Sequence, residues 1–183
     1  PICPKTPSAA VKTGIALVPE DRKKHGIIGI MSVKDNLTLS SLKKLKKGFV
    51  LDKAAQEGYA QRQVDALRIK TPGTYQKLKN LSGGNQQKVV LGRWLGADPD
   101  ILIFDEPTRG IDVGAKAEIY RLMTELADEG KAIIMISSEM PELLGMSDRL
   151  VILSKGRYAG LLDRKDFSQE TVLKYSSGGG KDE

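Results

Sequence analysis

Ile101-Leu102-Ile103-Phe104-Asp105-Glu106-Pro107-Thr108 decides the fold. Four consecutive apolar residues ending on two carboxylates read as a strand buried on both faces, and such strands belong to parallel sheets covered by helices. Both acids would stand at the strand's carboxyl end, where open α/β sheets place their ligand chemistry. Magnesium takes hard oxygen ligands, often one carboxylate plus water, and a neighbouring carboxylate can polarise a water attacking a phosphoryl group. Asp105 is therefore the candidate metal ligand and Glu106 the candidate catalytic base. Two solvated acids at a strand exit are the bland alternative, against which the apolar character of the preceding four residues counts.

Downstream, the pattern predicts a helix over 113–129, a strand over 132–136, a short helix over 141–146 and a strand over 149–153. Strands alternating with helices give an α/β fold with a parallel sheet. Upstream lies Leu81-Ser82-Gly83-Gly84-Asn85-Gln86-Gln87-Lys88, a serine and two glycines before a helix expected over 85–95. Glycines let a backbone approach closely, and the amides and dipole of a helix start attract anions, so a phosphate would fit here. An ordinary serine cap after a glycine turn accounts for the same tripeptide.

Further upstream, Gly14 to Pro19 reads as a short buried strand closed by proline, followed by the charged loop Glu20-Asp21-Arg22-Lys23-Lys24-His25-Gly26. Ser32 with Asp35 three residues on predicts a helix start, with the helix running to about Leu45 and Gly48 stopping it. A second helical stretch is expected over 52–70, with Ala55, Tyr59, Val64 and Leu67 on its apolar face. These segments suggest a small helical subdomain over 27–80, between a core segment at 14–26 and the main core at 81–165. Residues 1–13 read as a loose lead-in and 166–183 as a flexible tail.

The chain has 183 residues, 40% of them hydrophobic, enough for one well-filled core with a small satellite. Its apolar runs fall far short of the roughly 20 residues that span a bilayer, and no signal peptide opens it, so the expectation is a soluble, cytosolic protein. Cys3 is the only cysteine, which excludes an internal disulfide or a cysteine metal cluster. A net charge of +6 is compatible with nucleic acid, acidic lipid or a solvated surface. The start at Pro1, without methionine, reads as a piece cut from something longer.

The order of these segments carries a family resemblance. Leu81 to Gln87 resembles the signature motif of ATP-binding-cassette proteins, Ile101 to Glu106 their Walker B strand, and Arg109-Gly110-Ile111-Asp112 their D-loop, usually written with Leu at Ile111. Glu20-Asp21-Arg22-Lys23, Gly26, Met31-Ser32-Val33, Asn36-Leu37, Asn85 and Arg109 to Gly114 resemble the second cassette of tandem ATPases from bacterial ribose, galactose and xylose importers. The resemblance covers about 14–162. It implies a P-loop NTPase-like parallel sheet with helices on both faces and a helical subdomain, the N-terminal part of the cassette being absent.

It also implies ATP and Mg2+ as cofactors. Leu81, Ser82, Gly83, Gly84, Asn85, Gln86, Asp112 and Ser138 would contact nucleotide. The implied partners are the first cassette of the same or a paired ATPase, membrane permease subunits and, indirectly, a periplasmic or extracellular sugar-binding protein, with no nucleic acid. The implied location is the cytoplasmic face of the plasma membrane.

The pattern also departs from the family. No Gly-x-x-x-x-Gly-Lys-Ser/Thr loop occurs in the 183 residues. Ser138 stands where the switch histidine is usual, and no glutamine occurs in Val18-Pro19-Glu20-Asp21, where the Q-loop is expected. His25 reads as a surface residue. Arg93 and Trp94 read as surface and packing residues rather than adenine contacts. These departures fit a second cassette whose signature completes the first cassette's site in trans, leaving Asp105 and Glu106 in the weaker site and the isolated chain inactive. A non-transport cassette ATPase, or a non-catalytic regulatory fragment, is the alternative.

Overall fold

The computed structural model describes residues 3–179. They form two compact units, one reaching Ile136 and one starting at Ser137, so the division falls at neither of the boundaries expected near 80 and 165.

The first unit opens with a short helix, α1 (Pro7–Lys12), where a loose lead-in was expected. Thr6 creates it, because its hydroxyl accepts from the backbone N–H of Ala9 and a proline occupies the first turn. After β1 (Ile15–Val18) come α2 (Val33–Thr38), the paired strands β2 (Lys46–Lys47) and β3 (Val50–Leu51), and α3 (Lys53–Ala66). Then follow α4 (Gly83–Leu95), β4 (Ile101–Asp105), α5 (Val113–Asp128) and β5 (Ala132–Ile136).

The sheet runs β1-β4-β5, parallel throughout, with Val18 beside Phe104 and Asp105 beside Ile136. One face is sealed: Ala16, Val18, Leu102 and Phe104 are buried. The other face carries Leu17, Ile134 and Ile136, each about half exposed at 45%, 51% and 50%. Helices α4 and α5 pack on the sheet, α5 through Ile119, Leu122, Met123 and Leu126, whose spacing is one helical stripe.

The helical segment departs from expectation twice. Ser32 does cap α2, accepting from Asp35, but the helix ends at Thr38 and does not reach Leu45. Residues 39–45 wind through a 3-10 turn and loop into the β2–β3 hairpin. Gly48, at φ 66°, sits in the left-handed region that the turn between the strands requires. In α3 the buried residues are Gln56, Ala60 and Val64, and Ala55 is exposed. Asp52 sets this phase by accepting from the amides of Ala54 and Ala55, and Gln56 then reaches Thr38 Oγ1 at 2.8 Å.

A buried polar knot fixes this segment to α4. Asn36, fully buried, donates to the carbonyls of Ile28 (3.0 Å) and Ser32 (2.9 Å), and its Oδ1 accepts from Ile28 N–H (2.9 Å). Arg93 completes it, Nη2 donating to Asn36 Oδ1 at 2.7 Å and Nε to Asn36 O at 3.0 Å. Arg93 is therefore a structural clamp rather than the surface residue expected, and burial lowers its basicity.

The second unit contains α6 (Met140–Met146), the antiparallel pair β6 (Arg149–Ser154) and β7 (Arg157–Asp163), and α7 (Gln169–Lys174). The expected strand over 149–153 is present, but it pairs with β7 rather than joining the parallel sheet. Leu150, Ile152, Leu162 and Val172 form this unit's core. Part of the expected flexible tail is thus the helix α7, which Ser168 caps. Gly180 to Glu183 lie outside the described residues, as do Pro1 and Ile2.

Candidate functional site

The site residues of the first unit gather at the start of α4 and the end of β4. At the start of α4, a cavity of about 210 Å³ is lined by Lys70, Ser82, Gly84, Asn85, Asp112 and Glu118, among others. Ser82 precedes the helix and is exposed, yet its side chain caps no helix amide. Its oxygen instead accepts from Asn85 Nδ2 at 2.8 Å. Gly84 permits the close approach of α5, since a Cβ there would lie 2.5 Å from that of Ala115. Gly83 faces Arg22 and the carbonyl of Gly110, where a Cβ would meet Arg22 Nη2 at 2.6 Å.

Gln86 turns inward: it is buried, and Nε2 donates to the carbonyls of Leu81 (3.0 Å) and Leu78 (3.3 Å). It therefore shapes the turn before the helix, and Leu81 contributes to the site through its backbone. The Asp112 carboxylate accepts from Ala115 N–H at 3.0 Å and so caps α5, on the same cavity wall as Ser82.

Lys88 went unremarked in the sequence as a structural residue, and a lysine amid helix apolar positions was the available signal. It is almost completely buried, and donates to Glu118 at 2.6 Å and to the carbonyl of Arg68 at 2.9 Å. The hydrogen bond from Lys88 holds the Glu118 carboxyl below the usual glutamate range.

At the end of β4, Asp105 lines an open cleft of about 720 Å³ with Pro19, Glu20, Arg22, His25 and Arg109. Glu106 follows with φ 46°, its amide donating to Ile136 O at 2.9 Å. A non-glycine residue with positive φ is uncommon, and such strain collects at working sites. Among the described residues no group of three or more His, Cys, Asp or Glu side chains gathers to hold a metal ion. Asp105 alone suits a magnesium ion that arrives with phosphate and water ligands, not an all-protein cage.

The charged loop after β1 is bound to the loop after β4. Arg22 Nη1 donates to Arg109 O at 2.9 Å and Nη2 to Gly110 O at 3.2 Å, while Glu20 pairs with the Arg109 guanidinium. Asp21 orders the intervening turn, its carboxyl held below the ordinary range first of all by the backbone N–H of Lys24. His25 is exposed, as expected. Ser138 belongs to the second unit, beside Ser137, whose hydroxyl donates to Glu142 at 2.7 Å.

Residues 5–109 match the ABC transporter family. The ribose import ATP-binding protein of Shouchella clausii is 49% identical over 181 residues, 99% of this chain and 36% of that protein. The L-arabinose transport ATP-binding protein of Geobacillus stearothermophilus is 52% identical, over 91% of this chain and 33% of its own length. The xylose import ATP-binding protein of Thermoanaerobacter pseudethanolicus is 49% identical, over 95% and 34%. The chain thus spans about a third of the length of these relatives. A nucleotide-free ATP-binding cassette from an ABC transporter superposes with a TM-score of 0.74 at 20% identity, covering 95% of this chain and 72% of the other. A dimeric bacterial ABC transporter cassette superposes at 0.71 and 20%, covering 87% and 68%.

Proposed function

The chain belongs to the ABC transporter family, and from that premise we propose that it supplies the signature half of a composite ATP site in the ATPase of a monosaccharide importer. The observation that carries this is the cavity at the start of α4, where an exposed hydroxyl that caps no helix amide stands beside a glycine packed closely on α5. Helix-start amides and a hydroxyl suit a phosphate. On this reading the phosphate that Ser82 and Gly84 face is held by the phosphate loop of a second cassette, and the two residues act in trans.

Asp105 would hold Mg2+ on the nucleotide phosphates, and Glu106 would act as base, in the weaker of the two sites. The metal's part is to neutralise developing phosphate charge. The relatives' names, which speak of ribose, arabinose and xylose import, support a sugar importer and therefore permease partners at the cytoplasmic face of the membrane. In that setting Arg22, gripping the loop after β4, would couple the permease-facing loop to the site.

The test is a chimera: the ribose import ATP-binding protein of Shouchella clausii with its matching segment replaced by this chain. It is expected to hydrolyse ATP, and Ser82→Ala to lower kcat about 100-fold or more. Hydrolysis by the isolated chain, or a chimera indifferent to Ser82→Ala, would refute the assignment.

A further inference from the structure

We propose that Asn85 is a positioning residue that holds the Ser82 oxygen by donating to it, so that the Ser82 proton stays available to an acceptor in the cavity before it. The proposal rests on the assignment of that cavity to a nucleotide phosphate.

The backbone N–H of Lys70 donates to Asn85 Oδ1 at 2.8 Å. A backbone amide can only donate, so the amide oxygen must lie on that side, and the flip ambiguity of an Asn side chain is thereby resolved. The amide nitrogen consequently faces Ser82 Oγ, also at 2.8 Å. A side-chain NH2 can only donate in turn, so the serine oxygen accepts. One lone pair of Ser82 is occupied, and among the described residues its hydroxyl makes no bond to a helix amide. Asn85 cannot take the Ser82 proton, which therefore stays available to an acceptor.

At the cavity rim Lys70, 80% exposed in its side chain, pairs with Glu118 at 4.0 Å. The two acids on the wall already have partners: Glu118 is engaged by buried Lys88 and Asp112 by the first turn of α5. A phosphoryl oxygen only accepts, which matches a hydroxyl whose proton Asn85 cannot take.

The experiment is a double-mutant cycle in the chimera, reading kcat for ATP hydrolysis and the thermal midpoint. Asn85→Asp preserves shape and still accepts from Lys70 N–H, but a carboxylate accepts the Ser82 proton and draws it out of the cavity. The expected fall in kcat is about 30-fold, against about 5-fold for Asn85→Ala, which merely frees the hydroxyl. A purely structural role for Asn85 predicts the opposite order, because Asp keeps the Lys70 bond that Ala loses.

In the Ser82→Ala background neither substitution should lower kcat further. A full Asn85→Asp effect in that background would mean that the new charge acts on the nucleotide directly, and would overturn the proposal. If Asn85→Asp lowers the thermal midpoint, Asn85→Ala decides alone: its loss must vanish in the Ser82→Ala background. Ser82→Ala causing loss while both Asn85 variants keep full activity sinks the role of Asn85 but leaves the phosphate assignment standing. An inert Ser82→Ala removes both.

Discussion

The two ends of α4 are built on opposite rules. At its carboxyl end Arg93 and fully buried Asn36 satisfy one another and the loop at 28–36, leaving that asparagine's side chain no outward bond to offer. At its amino end Ser82 is exposed, caps no helix amide, and accepts a hydrogen bond from Asn85. One end uses its polar groups for stability, and the other leaves an exposed hydroxyl that caps nothing. Substitutions along this helix should therefore separate folding from activity.

The largest effect expected is at the closed end. Asn36→Ala strips three bonds from the 28–36 loop and leaves a buried guanidinium short of an acceptor, costing about 3 kcal/mol or more in denaturant unfolding. A loss under about 1 kcal/mol would mean that water replaces the knot, and the contrast would fail.

Gly84→Ala comes next, because the new methyl would overlap Ala115 and overpack the α4–α5 contact by about 1–3 kcal/mol. Ala115→Gly should restore much of that loss in the double variant. Such a result would sharpen the comparison by showing that the open end holds one packing residue beside its free hydroxyl. It also makes Gly84 a poor probe of phosphate contact, since folding and binding would change together.

The Lys88–Glu118 pair should give a smaller, pH-dependent effect. The folded carboxyl titrates below the unfolded one, so its contribution is present above the ordinary glutamate range and lost as pH falls through the lowered value. Glu118→Gln should flatten the acid side of the stability profile by lowering stability near neutrality, where the contribution is present and Lys88 is left without its carboxylate, while changing little at acid pH, where that contribution is already lost. Equal acid sensitivity in variant and parent would count against the pair.

The smallest stability change is expected at Ser82→Ala, within about 0.5 kcal/mol, since no cap is lost. Thermal melts check this. Set beside the expected loss of hydrolysis in the chimera, it is the sharpest form of the contrast, and a cost above about 1 kcal/mol would abolish it.

The parallel core was legible because β1, β4 and β5 are continuous apolar runs, a pattern that few other folds accommodate. The order of signature, strand and D-loop singled out Ser82, Asp105 and Asp112, and the structure places them on the walls of the two cavities. What escaped was decided by single hydrogen bonds. Thr6 creating α1, Gln56 rather than Ala55 turning inward at the start of α3 while Val64 and Leu67 are buried as expected, and Asn36 drawing Arg93 inward are choices between near-equal local states that tertiary partners settle. The strand over 149–153 shows the other limit: apolar character announced a strand, but not that β7 would pair with it antiparallel. For the same reason the double role of Asp112, wall and helix cap, could not be read from a motif.

Glu106 has a consequence for evolution. Its backbone occupies a region where glycine or asparagine rests more comfortably and glutamate is strained. Selection for abundance alone would drift away from glutamate at this position, and the role of base proposed above would give selection for activity a reason to keep it. A saturation library scored twice, once for folded protein in the cell and once for sugar-dependent growth, should rank Gly and Asn high in the first list and low in the second.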